Sequence, residues 1–340
     1  MSVGMQLVAY GGRDDKLFRG AIMESANPVY YGTLGGYNTS FFGVASAALG
    51  CNNAPDQIQC LRTVRHTKVR AFAHGIGSNL TWQPIVDGDI VRKYGSEQLK
   101  KGEFVHVPII TGANSDEGIS FAPTPIADDD AFLASVKNNP SWQDYYPMPA
   151  AAVAKVAKAY PAFNTKGLIP DGAVPTSLPM SSVYPVAKYG SSPAYRRIAQ
   201  YYGDVQIIAH RRLTCETWTS FHVPAYCFRF DTIPLSGSPF TGVEHAVELP
   251  FVFNNKVGAG LEAPPFKGAK NYAALSDQMS TEWVTFVNDL KPGIPWPTYG
   301  EGVNHVFDAN KTGLGYLEKD DFRKEAIALL NSFNADIYLR

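Results

Sequence analysis

The residues of this chain best suited to acid–base chemistry are a loop carboxylate and a loop histidine. Asp116 and Glu117 occur in VPIITGANSDEGISF, where an apolar run ending at Gly112 leads into a polar loop. His245 occurs in GVEHAVELPFVF, where a loop histidine precedes an apolar segment. A carboxylate can orient a histidine, and a histidine held in this way can act as a general base. The structural alternatives are a solvated loop acid and a histidine that only forms hydrogen bonds.

The remaining histidines have no comparable setting. The sequence predicts surface or strand-edge positions for all six: His66, His74, His106, His210, His222 and His305.

Strand and helix patterns alternate around these two loops, which favours an α/β sheet protein. A buried parallel strand is predicted over 106–112, directly before the acid. A second strand is predicted over 223–231, and Asp204 is expected to cap the helix between them. A later helix has an apolar stripe formed by Met279, Trp283, Phe286, Val287 and Leu290. Because functional groups gather at the carboxyl ends of parallel strands, the loop acid is well placed for a site.

The composition excludes several classes of function. The chain has 340 residues, 45% hydrophobic and 18% charged, and a formal net charge of −1. This balance gives no tendency to bind nucleic acid or an anionic membrane. No apolar run approaches the roughly 18 residues of a membrane span, so no integral membrane segment is expected. No metal-binding pattern or organic cofactor motif occurs, and the oligomeric state is not indicated.

The cysteines and glycosylation sequons favour an extracellular origin. Cys51 and Cys60 enclose a short polar loop, which is compatible with a local disulfide or with two free thiols. Acceptor sequons occur at Asn38, Asn79 and Asn310. Together these features favour a secreted protein, although the first residues lack the pattern of a signal peptide.

Six segments, in order, give the chain a close resemblance to the type-B carboxylesterase and lipase family, the cholinesterase-like α/β hydrolases, and especially to its fungal secreted members. The segments are KLFRGAIMESA, CNNAPDQIQCLR, QPIVDGDIV, VPIITGANSDEGISF, GVEHAVELPFVF and STEWVTFVNDLKPGIPWPTYG. The resemblance implies the α/β-hydrolase fold, here its C-terminal portion, with an incomplete central sheet and a helical cover. It also implies hydrolysis of a small-molecule or lipid carboxylic ester without a cofactor.

The resemblance assigns roles to the two loop residues. Their order, acid then histidine, is that of the Ser, Asp/Glu, His triad of this fold. Glu117 is implied to be the triad acid, which holds the imidazole in the correct tautomer. His245 is implied to be the base, which takes the proton of the nucleophile and returns it to the leaving alcohol.

The resemblance also bears on the cysteines and on the organisation of the chain. Cys51 and Cys60 lie where this family has a short-loop disulfide, whereas the other two cysteines have no assigned partner. Residues 1–340 are expected to form a single partial α/β-hydrolase domain. Within it, the Pro-, Ser- and Tyr-rich region from about 128–202 is expected to be an insertion of helices and loops over the sheet.

The nucleophile expected of this family does not occur in the sequence. Family members carry it in G-x-S-x-G, and the 340 residues contain no such pattern. Ser120, in GISFA, lacks the second glycine and follows the acid; Ser25, in MESA, matches a structural serine of the family. By the resemblance, Met1 lies about two residues past the serine motif. We therefore expect a fragment of a secreted enzyme that is inactive alone, its serine, oxyanion segment and signal peptide lying upstream.

Two other functions are compatible with the sequence. The family includes members that bind partners without hydrolysing esters, so a non-catalytic cholinesterase-like binding protein is the main alternative. A different catalyst using only Glu117 and His245 has little support, because no cysteine, lysine or metal motif offers a substitute nucleophile. An in-frame G-x-S-x-G upstream would favour the hydrolase over the binding protein.

Overall fold

The structure is a computed structural model. It describes residues 2–29, 39–75, 77, 84–123, 128–138, 148–161, 194–235 and 242–340.

A five-stranded mixed sheet forms the centre of the described structure. Its strands are β1 (Ala21–Glu24), β2 (Ile109–Asn114), β3 (Ala225–Phe230), β4 (Val303–Phe307) and β5 (Gly315–Lys319). The order in space follows the order in sequence; β1 to β4 are parallel, and β4 pairs with β5 antiparallel. Parallel neighbours need long crossover connections, and the helices of the chain supply them.

Helices surround this sheet. The α-helices of the described residues are α1 (Ser2–Gly12), α2 (Thr39–Ala48), α3 (Gln57–Thr63), α4 (His66–His74), α5 (Gly95–Lys101), α6 (Asp129–Lys137), α7 (Ala150–Ala159), α8 (Ala194–Gly203), α9 (Ala209–Ser220), α10 (Leu249–Val252), α11 (Lys270–Asp289) and α12 (Lys324–Ser332). The arrangement of strands and helices agrees with the α/β class expected from the sequence.

Alternate residues of the strands face two different helical layers, as the period of a strand requires. Met23, Ile109 and Cys227 pack with apolar residues of α1, α5 and α9. Ile110 and Phe228 point to the other face and pack with α10 and α11. Both faces of the central strands are therefore buried, which explains why their sequences are nearly continuously apolar.

The stripe predicted for α11 is correct in part. Met279, Trp283 and Phe286 are buried against the sheet, as predicted. The assignment of Val287 to the core is wrong, because its side chain is 59% exposed. Val287 follows Phe286 directly, and one residue turns an α-helix by about 100°, so the two side chains face different directions.

The expectation that Asp204 caps a helix is also wrong. The helix already begins at Ala194, and Asp204 starts a π-helical turn, Asp204–Ile208, inside a continuous helical segment that ends with α9. The carboxylate of Asp204 is fully buried, accepts a hydrogen bond from the Tyr160 hydroxyl at 2.7 Å and pairs with Arg323 at 2.6 Å. An internal cation, and not a free helix end, therefore satisfies this buried charge.

Part of the expected insertion over the sheet is described. Helices α6 and α7, and α8 except for its last residue, fall in it and share an apolar cluster with α12, which includes Phe132, Val156, Ile198 and Leu330. Residues 139–147 and 162–193 lie outside the described residues. The assignment of 128–202 as an insertion stays a prediction.

Candidate active site

Two neighbouring parallel strands bring the predicted acid and base together. Strand β2 continues to Asn114, two residues beyond its predicted end, and Glu117 begins the 3-10 turn Glu117–Ser120 that follows. His245 lies in the segment after β3, and Asn114 is paired with Phe230 at the ends of the two strands. Because both strands end at the same edge of the sheet, both loops leave from the same place.

Glu117 and His245 form a direct hydrogen bond. The imidazole Nδ1 lies 2.7 Å from Oε2 of Glu117, whose side chain is fully buried, whereas the side chain of His245 is 37% exposed. The hydrogen bond that His245 makes to the Glu117 carboxylate raises the pKa of His245, and partial burial of the ring lowers it to a smaller extent. With Nδ1 held by the acid, Nε2 is the ring nitrogen that can exchange a proton with another molecule.

The second oxygen of Glu117 is held by two further donors. Oε1 accepts a hydrogen bond from the backbone N–H of Asn114 at 2.7 Å and another from the hydroxyl of Ser25. Ser25 directly follows β1 and has a positive φ of 49°. Three hydrogen bonds to one buried carboxylate fix its direction. Neither Ser25 nor Asn114 was recognised as a partner of Glu117 from the sequence.

Hydrogen bonds join the turn that contains Glu117 to the segment that contains His245. The N–H of Asp116 donates to the carbonyl of Val243 at 3.0 Å, and the N–H of Val243 donates to Oδ2 of Asp116 at 3.0 Å. Gly242 has a φ of 59°, and a Cβ there would lie 2.4 Å from Asp116. The N–H of His245 also donates to the Ser120 hydroxyl at 3.3 Å. These contacts fix the backbone on both sides of the acid–histidine bond.

The helical cover fixes the acid turn from the other side. Gly118, next to Glu117, packs so closely on α8 that a Cβ would lie 1.7 Å from the carbonyl oxygen of Ala199. Only glycine permits this approach between the turn and the helix. The ring of Phe121 lies 4.9 Å from the ring of His245 and covers part of the imidazole.

An apolar groove of about 640 Å³ opens beside His245. Its walls come from the segment after His245 and from the loop before α11, and its apolar lining residues are Pro234, Ala246, Val247, Leu249, Pro250, Phe253, Leu261, Ala263 and Pro265. Glu244 and Glu262 are its acidic residues. A groove of this size and character suits the apolar part of a small ligand.

Two disulfides are present. Cys51 and Cys60, the pair implied by the resemblance, are bonded with an S–S distance of 2.04 Å. Cys215 and Cys227, which had no assigned partners, form a second disulfide between α9 and β3. Their sequence separation of 12 residues gave no local signal, because the two cysteines lie in different elements, a helix and a strand.

The other predicted positions are spread over the chain. Asn38 and Asn79 lie outside the described residues, and Asn310 is exposed. The prediction of surface or strand-edge positions is wrong for His210, which is fully buried in α9. His305 lies in β4 and is only 6% exposed, so it is not a surface residue. Burial strongly lowers the pKa of His210 and lowers that of His305 to about 4, so both are neutral core residues.

Within the part of the chain that the structure describes, His, Cys, Asp and Glu side chains form no group of three or more arranged to hold a metal ion. Over the same residues, no helix combines the length and apolar character needed to cross a membrane.

The sequence is similar to those of fungal lipases. A model of the carboxylesterase family matches residues 1–325. "Lipase 2" of Diutina rugosa is 26% identical over 334 residues, a match covering 93% of this chain and 54% of the lipase. "Secreted lipase 4" of Gibberella zeae is 27% identical over 354 residues, with 96% of this chain and 56% of the lipase covered. The chain thus spans about half the length of the curated relatives that it matches.

The fold is similar to that of a fungal protein of known crystal structure. The crystal structure of Aspergillus niger EstA matches with a TM-score of 0.74 at 21% identity, covering 99% of this chain and 62% of that one. The chain therefore has the α/β-hydrolase fold.

Proposed function

The chain belongs to the carboxylesterase family, and on that premise we propose that it supplies the acid and the base of a Ser-Glu-His carboxylic ester hydrolase. The observation that carries this proposal is the 2.7 Å bond between Nδ1 of His245 and the buried carboxylate of Glu117. This arrangement orients the imidazole and stabilises the imidazolium that forms when Nε2 takes a proton.

The reaction follows from these roles. His245 Nε2 accepts the proton of a serine hydroxyl as its oxygen attacks the ester carbonyl carbon. The tetrahedral intermediate collapses to an acyl-serine, and the imidazolium gives its proton to the departing alcohol. His245 then accepts a proton from water as water attacks the acyl group, and it returns that proton to the serine as the acid leaves.

The nucleophile in this proposal comes from polypeptide outside the 340 residues. Support comes from the lack of G-x-S-x-G in the sequence and from relatives that are nearly twice as long as the matched part. Ser25 does not fit the role, because its hydroxyl donates to Glu117. A triad serine bonds to the histidine and not to the acid. The 340-residue chain by itself is therefore proposed to be inactive.

The groove beside His245 supports an apolar ester as the substrate. Nine of its lining residues are apolar, and it begins next to the ring that would receive the serine proton. The relatives named as lipases are consistent with a lipid ester, and a small apolar ester would fit the same surface.

We propose that the protein is secreted. Both pairs of cysteines form disulfides, which persist mainly in oxidising compartments. Relatives named as secreted lipases agree with this location. Asn310 is exposed in the sequon Asn-Lys-Thr and is the described candidate for glycosylation.

Sequencing the transcript upstream of Met1 tests the proposed source of the nucleophile. A continuous frame with G-x-S-x-G before Met1 is the expected result. A stop codon directly upstream, with no such motif in frame, would contradict the hydrolase and favour the alternative, a non-catalytic cholinesterase-like binding protein. The lack of the motif in the 340 residues is the one observation that supports this alternative.

A further inference from the structure

A second buried acid, Glu248, lies near the Glu117–His245 pair. Glu248 is only 2% exposed, and its Oε2 accepts a hydrogen bond from the side-chain amide of Asn114. The same amide donates to the carbonyl of Glu244 at 2.8 Å, and the backbone N–H of Asn114 donates to Oε1 of Glu117 at 2.7 Å. One buried asparagine therefore connects the acid of the pair, the segment that bears the histidine, and a second carboxyl group.

The two carboxyl groups differ in the hydrogen bonds that they accept. Glu117 accepts bonds from the backbone of Asn114, the hydroxyl of Ser25 and the ring of His245. Glu248 accepts the amide of Asn114. Glu248 is thus a buried carboxyl group with fewer hydrogen-bond donors than Glu117, and a buried charge with few donors is poorly stabilised. Burial, and then the charge of Glu117, raises the pKa of Glu248 to about 7.

The titratable groups that face Glu248 come from three elements. Glu117 lies in the turn after β2, Glu24 is the last residue of β1, and His245 and Glu244 belong to the same segment as Glu248. Burial raises the pKa of Glu24, although the indole of Trp283 donates a hydrogen bond to it. The surroundings of Glu248 therefore contain three other acids and one base.

We propose that Glu248 is a positioning residue for His245: through Asn114 it holds the histidine segment against the acid turn, and its carboxylate adds a second negative charge near the imidazole. This inference rests on the proposed role of His245 as the base. Below neutral pH, protonated Glu248 leaves a single charge beside the ring. Above neutral pH, its ionisation stabilises the imidazolium and makes His245 a stronger base.

The test measures the reactivity of His245 with diethyl pyrocarbonate, which acylates neutral imidazole. Peptide mass spectrometry gives the acylation rate for each histidine between pH 5 and 9 in the protein translated from the full-length transcript. His66, exposed on α4, is the internal reference. The variant is Glu248→Gln, which keeps an oxygen for the amide of Asn114 but has no charge. Glu262→Gln, which removes an exposed acid at the groove, is the matched control.

In the unsubstituted chain, the acylation rate of His245 is expected to rise over a wider pH range than that of His66, because the titration of His245 is coupled to that of Glu248. Glu248→Gln is expected to shift the curve to lower pH and to narrow it, whereas Glu262→Gln leaves it unchanged. The proposal is wrong if the pH curve of His245 in the unsubstituted chain is as steep as that of His66. It is also wrong if the His245 curves of Glu248→Gln and of the unsubstituted chain superimpose. No ester is hydrolysed in this measurement, so its failure is distinct from a failure of the proposed activity.

Discussion

The bond between Glu117 and His245 has a testable effect on the charge of the histidine. Because the hydrogen bond to Glu117 raises the pKa of His245, Glu117→Gln is expected to lower it. A folded-state pKa above the unfolded value means that the pair contributes stability below an unfolded pKa of about 6.5. This contribution is lost as the pH rises through the raised, folded-state pKa.

The pH profile of diethyl pyrocarbonate labelling at His245 measures this effect. Glu117→Gln should move the profile to lower pH, with Glu262→Gln as the control for loss of an acid outside the bond. A profile that stays in place in Glu117→Gln would show that the hydrogen bond does not set the charge of the imidazole.

The residue after the histidine is under backbone strain. Ala246 has a φ of 69°, in the left-handed region that favours glycine. Ala246→Gly is therefore expected to increase the free energy of unfolding by about 1 kcal/mol. Urea unfolding of the protein from the full-length transcript measures it, with Ala273→Gly near the start of α11 as a control that should lower stability. An equal loss of stability in both variants would contradict the assigned strain.

The sequence predicted Glu117 and His245 as a functional pair, which the structure brings into contact, but it did not predict the residues that contact this pair. Glu117 and His245 stand in segments whose similarity to a family extends over many neighbouring residues. Ser25 and Glu248 also lie in segments that resemble the family, but nothing local in those segments indicates that Ser25 contacts Glu117 or that Glu248 contacts Asn114. Such contacts depend on how the strands are ordered in space, which periodicity alone does not determine.

At the scale of elements, the closest packing is between the acid turn and α8. Gly118→Ala would place a Cβ 1.7 Å from the Ala199 carbonyl oxygen, so the turn or the helix must move. We expect the free energy of unfolding to fall by about 2 kcal/mol or more. Gly300→Ala is the matched control, since a Cβ there meets nothing within 4 Å. Urea unfolding midpoints compare the two, and equal midpoints would refute the contact.

Prediction from the sequence was most accurate for strands that are buried on both faces. The apolar runs of β2 and β3 indicated both strands, because central parallel strands are buried on both faces. The cap assigned to Asp204 was wrong, because its partners are Tyr160, directly after α7, and Arg323, directly before α12. A polar residue before an apolar helical stripe resembles an N-cap, and only tertiary contacts distinguish the two cases.

At the scale of the whole molecule, the outer edge of the sheet is the notable surface. Within the described residues, β1 pairs with β2 alone. Beside it, Phe253 is 76% exposed, and Val284 and Val287 are each 59% exposed. An unpaired strand edge flanked by apolar side chains favours association with another sheet edge or apolar surface.

We therefore expect the purified 340-residue chain to self-associate as its concentration rises. Sedimentation velocity measures this, and Val287→Lys, which places a charge beside β1, should weaken it. Val69→Lys, on an exposed position of α4, is the matched control and should have no effect. A chain that stays monomeric at all concentrations, with a cooperative thermal transition, would contradict the expectation.

The most direct test of the central claim is ester hydrolysis by the protein translated from the full-length transcript. We expect His245→Gln to lower kcat for 4-nitrophenyl butyrate by at least about a thousandfold, since the triad base would be lost. His66→Gln, at an exposed histidine of α4, should leave kcat unchanged. If kcat of His245→Gln equals that of the unsubstituted protein, His245 is not the base and the proposed Ser-Glu-His mechanism is wrong.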